Sequence, residues 1–189
     1  NTNRESGVKT LDVYSYETGE KVSTLINSNE IEGLDYFIGY TLSKDERKVL
    51  LSTNLRSIYR RSSLGVYYVY DLDTKKLTQV SEKSIQEPTF SPDASKVAYG
   101  LNNNLYIKDL ASGATTQLTN DGETNKIING ITDWVYEEEF SFVRAFDWNA
   151  DGTKIAFIRF DETNVPEFSM DVFGSELYPS KDTFKYPKA

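Results

Sequence analysis

The chain of 189 residues contains no cysteine and no histidine, and each absence removes a class of chemistry. Without cysteine there is no disulfide framework, no thiolate nucleophile and no thiolate metal site, so oxidising and reducing compartments both stay open. Without histidine, these residues cannot contain a Ser-His-Asp triad, and the commonest zinc ligand and general base is missing as well. A hydrolase of that kind would need its chemistry elsewhere. Proline is scarce, at five residues against 13 tyrosines and 10 phenylalanines. Rings pack well on a half-buried pleated surface, so this balance favours strands over helices. No apolar run approaches the roughly 20 residues that span a bilayer, and residues 1–7 are polar, without the apolar core of a signal peptide. The ending Tyr186-Pro187-Lys188-Ala189 carries no turn or cap that closes a fold, and the chain is read as a truncated piece.

Positive charge is also in short supply. Asp and Glu number 29 against 21 Lys and Arg, a net charge of -8, so a phosphate backbone would be repelled unless a local basic patch overcame the field. The residues from Lys44 to Lys48 are mixed in sign, and Arg56, Arg60 and Arg61 are too few for a nucleic-acid track. Nucleic acid is therefore not an expected partner. At 38% hydrophobic and 26% charged, the chain has a soluble globular composition, long enough for one sizeable core or part of a larger one.

What is present is a repeat. Ser43-Lys44-Asp45-Glu46-Arg47-Lys48-Val49-Leu50-Leu51 aligns with Ser91-Pro92-Asp93-Ala94-Ser95-Lys96-Val97-Ala98-Tyr99 and with Asn149-Ala150-Asp151-Gly152-Thr153-Lys154-Ile155-Ala156-Phe157. Each is a tight polar turn leading into an apolar strand, with Asp and Lys in register. A second element recurs: Val69-Tyr70-Asp71-Leu72-Asp73-Thr74-Lys75-Lys76-Leu77 matches Ile107-Lys108-Asp109-Leu110-Ala111-Ser112-Gly113-Ala114-Thr115, and more loosely residues 13–21. The pattern predicts a hairpin. Together the two elements make a four-stranded antiparallel unit at the period of a β-propeller blade. The expected fold is all-β, a partial propeller holding the last strands of one blade (about 8–27), two blades (about 31–80 and 85–120) and the start of another (142–189). A β-sandwich is the alternative, and the paired repeats argue against it.

One stretch breaks the repeat. Val80 and Phe90 lie 10 positions apart, whereas the equivalent Leu118 and Phe146 lie 28 apart, and the added residues contain Asp133-Trp134-Val135-Tyr136-Glu137-Glu138-Glu139-Phe140. Thr132 or Asp133 can cap a helix start, and glutamates suit its first turns, so residues 132–141 are expected as one or two helical turns inserted at a blade rim and pinned by Trp134, Tyr136 and Phe140. The loop around Arg60 and Arg61 is the other irregular place.

A run of like charge is usually a solvated surface, and two adjacent arginines are usually solubilising charge. The functional alternative is a receptor for a primary ammonium group, which presents three donors and one charge to adjacent carboxylates. At about 4 Å and an effective dielectric near 20, each such contact is worth on the order of 4 kcal/mol before desolvation. Glu138 and Glu139, with Arg60 holding a carbonyl, would recognise a peptide N-terminus. Glycoside hydrolysis needs carboxylates on opposite sides of the bond, roughly 5 Å or more apart, which adjacent glutamates rarely meet. A calcium loop would alternate acidic and carbonyl ligands around a glycine, which this run lacks.

The run Asn129-Gly130-Ile131-Thr132-Asp133-Trp134-Val135-Tyr136-Glu137-Glu138-Glu139 strongly resembles the signature of the dipeptidyl peptidase IV family, serine exopeptidases of the prolyl oligopeptidase clan. The likeness extends to Tyr59-Arg60-Arg61-Ser62, to Phe90-Ser91-Pro92-Asp93, to residues 161–166 and to Tyr186-Pro187-Lys188-Ala189. The resemblance implies an eight-bladed propeller capping an α/β-hydrolase domain, which is absent from this chain, and an enzyme that releases dipeptides with Pro or Ala second from the N-terminus. It implies that Glu138 and Glu139 bind the substrate amine and Arg60 its carbonyl oxygen, with no catalytic residue, cofactor or metal in this chain. Histidine is common where Arg61 stands, so which arginine faces the site stays open. The tail, residues 167–189, resembles an arm that helps form a homodimer, with simple strand packing as the alternative. Family members act outside the cytoplasm, periplasmic or at the cell surface. The alternative to an enzyme is a non-enzymatic propeller used as a binding module.

Overall fold

Ser43, Ser91 and Asn149, the anchors of the repeat, build one turn three times over in the computed structural model, which describes residues 9–185. The polar residues 1–7 and the closing Tyr186-Pro187-Lys188-Ala189 lie outside the described residues. In each turn the anchor backbone N–H donates to the carbonyl of the Lys five positions on, at 2.8 to 2.9 Å, and that Lys N–H returns a bond to the anchor side chain. The Asp two positions after the anchor accepts from the anchor side chain at 2.6 Å in all three. The next residue, Glu46, Ala94 or Gly152, is left-handed, with φ of 57°, 53° and 69°. The recurrence of Ser or Asn, Asp and Lys thus has a physical cause: short polar side chains satisfy a turn whose backbone groups have no ladder partner. At Asp93 the bonds from Ser91 and Ser95 hold the carboxyl at about 2, well below the usual carboxylate range.

Between these turns the strands form antiparallel sheets. β1 (Thr10–Tyr14) pairs with β2 (Lys21–Asn27). A four-stranded sheet follows in the order β3 (Gly39–Leu42), β4 (Lys48–Ser57), β5 (Ser63–Asp71), β6 (Leu77–Gln79). The next is β7 (Gln86–Phe90), β8 (Lys96–Leu101), β9 (Asn104–Asp109) and β10 (Thr115–Gln117). Beyond it, β11 (Ile127–Asn129), the helix α1 (Trp134–Phe140), β12 (Phe146–Trp148), β13 (Ile155–Phe157) and β14 (Arg159–Asp161) are nested, β12 pairing with β13 and β11 with β14. A hairpin of β15 (Glu167–Val172) and β16 (Ser180–Lys185) closes the described residues. Asp71 and Asp109 each cap their hairpin turn, accepting from the N–H three residues on at 2.8 Å.

Side chains alternate across a strand, so a blade's middle strands feed two cores at once. Val49 and Leu51 of β4 face a cluster with Ile26, Leu34 and Phe37. Leu50, between them, faces Val69, Ile85, Val97 and Tyr99 of the other side. Ala98 repeats the pattern, turning to Leu105, Ile131 and Phe146 while its neighbours Val97 and Tyr99 turn back. Apolar residues filling the space between successive four-stranded sheets are the packing logic of propeller blades. The architecture is all-β: a partial β-propeller with one short helix, no ring closing among the described residues. No helix among them is long and apolar enough to cross a membrane.

Candidate functional site

Each residue of the run from Asn129 to Asp133 has a structural duty that aims the helix behind it. Asn129 is buried and donates through Nδ2 to Asp121 at 2.8 Å. Gly130 takes φ of +73°, and a Cβ there would meet the Leu105 side chain at 2.6 Å, so the turn and the close approach both require glycine. Ile131 drops into the core. Thr132 ties the outgoing chain to the returning one through Phe142 O at 3.1 Å and Val143 O at 3.0 Å. Asp133 is the N-cap, accepting from Tyr136 N at 2.8 Å, and Ser141 ends the helix in the left-handed region.

Two rings hold α1 in place. Tyr136 meets Phe160 edge-on at 4.8 Å and Phe142 at 6.1 Å, and Trp134 meets Phe184 of β16 at 6.3 Å. Phe140, expected as a third pin, is instead 63% exposed and packs on Tyr136 of its own helix at 5.1 Å. Residues four apart share a helix face, so it covers Tyr136 and does not reach the sheet.

Successive helical residues are turned by roughly 100°, so three adjacent glutamates point three ways. Glu137 points inward and is 1% exposed. Its Oε1 accepts from the backbone N–H of Arg61 at 2.5 Å and of Ser62 at 2.9 Å, in the hairpin tip between β4 and β5. Glu138, with a side chain 18% exposed, lies with Oε2 3.4 Å from Arg60 Nε. Glu139 is exposed to solvent. Arg61 donates through Nη2 to Ser141 Oγ at 3.1 Å, at the end of the helix. The structure thus brings Glu138 and Arg60 together, with Glu139 exposed on the same helix and Arg61 directed to the helix end instead.

Magnitudes decide what holds this rim together. Arg60 is 70% exposed along its side chain, and such an exposed ion pair is worth about 0 to 1 kcal/mol. A backbone N–H bonded to a buried carboxylate contributes about 1.5 to 3 kcal/mol, and Glu137 receives two. The glutamate that touches no solvent therefore fastens the loop. Its partners lie 75 and 76 residues away in the chain, a contact with no local signal. Glu139 is exposed, and the weakly paired Glu138 and Arg60 keep capacity to accept from a cation and to donate to a carbonyl or carboxylate. Among the described residues, no group of three or more acidic side chains is arranged to hold a metal ion.

A second acidic pair, unforeseen in the sequence, lies at the other end of the helix. Asp133 and Glu162 are 6% and 7% exposed and line a cavity of about 220 Å³ with Tyr59, Trp134, Phe184 and Lys185. Burial, then the Asp133 charge and its hydrogen bond, push Glu162 up to about 7, with Lys185 pulling the other way. Burial and the same acidic surroundings raise Tyr59 as well. The folded state binds the Glu162 proton more tightly than the unfolded chain, whose carboxyl titrates near 4.5. This contribution to stability is therefore complete below about pH 4.5 and is lost as the pH rises to about 7. Discounted for solvent screening, it is on the order of 1 kcal/mol. Glu162→Gln is expected to melt higher than wild type at pH 8 and to flatten the decline in melting temperature between pH 5 and pH 7. Parallel pH–stability curves for the two proteins would contradict this.

The family model described as the dipeptidyl peptidase IV (DPP IV) N-terminal region matches residues 43–189. Human prolyl endopeptidase FAP is 34% identical over 188 residues, covering 98% of this chain and 24% of that protein. The "Probable dipeptidyl-aminopeptidase B" of Chaetomium globosum is 38% identical over 163 residues, covering 78% of this chain and 18% of the relative. In structure, Porphyromonas gingivalis dipeptidyl peptidase 4 superposes with a TM-score of 0.89 at 38% identity, over 99% of this chain and 27% of the other. The chain thus spans about a quarter or less of the length of these relatives. With the family model matching residues 43–189 and relatives similar over most of its length, the chain belongs to the dipeptidyl peptidase IV N-terminal region family.

Proposed function

We propose that this chain is the substrate-recognising propeller portion of a serine-type dipeptidyl peptidase that releases X-Pro or X-Ala dipeptides from peptide N-termini. Glu138 and Glu139 bind the free amine and Arg60 the first carbonyl oxygen. The observation that carries this reading is the approach of Arg60 Nε to Glu138 Oε2 at 3.4 Å, because it sets a guanidinium donor and a carboxylate acceptor from two distant segments side by side. The nucleophile, its histidine and its aspartate are assigned to a hydrolase domain outside these residues; the absence of histidine means that at least the histidine of such a triad lies elsewhere. The chain alone is inactive. The β15–β16 arm, with Phe173, Leu177 and Tyr178 more than 79% exposed, contributes to a homodimer, and the parent acts outside the cytoplasm.

The name of one relative, a prolyl endopeptidase, favours a second reading in which internal bonds after proline are cut. The two separate on one substrate pair. Given a peptide with proline second, the full-length protein is expected to cleave the free-amine form and leave the N-acetylated form intact, since acetylation removes the charge and two of the three donors. Equal cleavage of the two forms would rule out amine recognition and support the endopeptidase.

A further inference from the structure

The groups assigned to the substrate come from two segments far apart in sequence, a hairpin tip and a rim helix, so their mutual placement needs a device. The hairpin departs from its blade at Asn54, left-handed with φ of 51°, where the β4–β5 register shifts between Thr53 and Arg56; a bulge of this kind bends the strand and re-aims what lies beyond it. Beyond the bulge the tip is built around Ser62, which is 3% exposed and accepts from Ile58 N at 2.9 Å and from Tyr59 N at 3.3 Å. This internal order does not tell the tip where to sit. Arg60 cannot anchor it, with its side chain 70% exposed and one contact at 3.4 Å.

We propose that Glu137 is the positioning residue of the recognition site. By accepting the backbone N–H groups of Arg61 and Ser62, it fixes the hairpin tip against α1 and thereby holds the Arg60 guanidinium beside Glu138. The proposal rests on the reading of Glu138, Glu139 and Arg60 as substrate-binding groups. It separates the three glutamates by role: the first never meets the substrate and the other two do. Its buried position and its bonds to two consecutive N–H groups suit a rigid clasp, and loss of about 1 Å in placement is enough for a roughly 100-fold effect on a reaction.

The test uses the full-length protein and a free-amine Gly-Pro anilide, with melting temperatures recorded for every variant. Glu137→Gln keeps an oxygen able to accept both bonds and is expected to hold kcat/KM within about threefold of wild type. Glu137→Asp keeps the charge but falls one methylene short of the loop; KM is expected to rise about tenfold or more, with kcat within about threefold. Arg60→Ala raises KM comparably, and the Glu137→Asp, Arg60→Ala double variant is no worse than Arg60→Ala by more than about threefold, because Glu137 acts through Arg60. A wild-type KM in Glu137→Asp beside a damaged Arg60→Ala overturns the positioning role and leaves the recognition reading intact. Multiplying losses in the double variant also overturn it, as does a Glu137→Gln protein as impaired as the aspartate variant. A Glu137→Asp protein that no longer folds counts against it too, since Glu137 then supports the fold at large. Wild-type kinetics in Arg60→Ala would instead sink the recognition reading itself.

Discussion

Glu138→Gln or Glu139→Gln in the full-length protein is expected to lower kcat/KM for free-amine substrates by roughly 30- to 1000-fold, the equivalent of about 2 to 4 kcal/mol of lost transition-state binding. Glutamine keeps the shape and one acceptor oxygen but loses the charge that an ammonium group needs. Stability should hardly move. Glu138 gives up only an exposed ion pair with Arg60, worth about 0 to 1 kcal/mol. Glu139 is exposed, and a surface substitution of this kind usually stays within about 0.5 kcal/mol. The measurement is steady-state kinetics beside thermal melting, and wild-type rates in both natively folded variants would refute amine recognition by this pair.

Leu51→Ala is expected to be among the most damaging substitutions for the fold, at about 2 to 5 kcal/mol. Leu51 is 0% exposed and sits among Ile26, Leu34, Phe37, Val49 and Tyr70, where two successive sheets meet. Truncation removes apolar contact on that interface and leaves a cavity that β-sheet backbones on either side cannot collapse to fill. Tyr16→Ala removes a larger apolar group but from a hairpin turn in full contact with water, and should change stability by no more than about 0.5 kcal/mol. Denaturant midpoints of the two variants make the comparison. Equal losses would mean that the space between blades is not the stabilising core.

Much of the fold was legible because it is local. The three polar turns are closed by side chains within five residues of their anchors, so Ser43, Ser91 and Asn149 announce them directly. Short continuous apolar runs after the turns, Val49-Leu50-Leu51 and Val97-Ala98-Tyr99, mark β4 and β8 as strands buried on both faces, and Asp133 caps α1 within its own turn. The candidate site was legible in part. Glu138, Glu139 and Arg60 could be singled out from charge and spacing, but Phe140 was misjudged as a pin, since its exposure depends on how the helix docks and not on its ring. The Asp133 and Glu162 pair was missed for a related reason: Glu162 lies 29 positions beyond Asp133, and nothing beside it in sequence marks it as buried.

The amino-acid sequence by itself determined that no histidine-dependent triad resides in these residues, that four-stranded antiparallel units repeat, and that a capped acidic helix interrupts them. These follow from composition, from the recurrence of polar turns and apolar runs, and from bonds made within a few residues. Only the tertiary structure decided which of three chemically identical glutamates does what. A helix turns each by roughly 100° from the last, and the choice of inward face is made by Tyr136 against Phe160 and by a hairpin tip 75 residues upstream. Long-range packing therefore buries Glu137 against the hairpin tip and leaves Glu138 beside Arg60 and Glu139 in solvent.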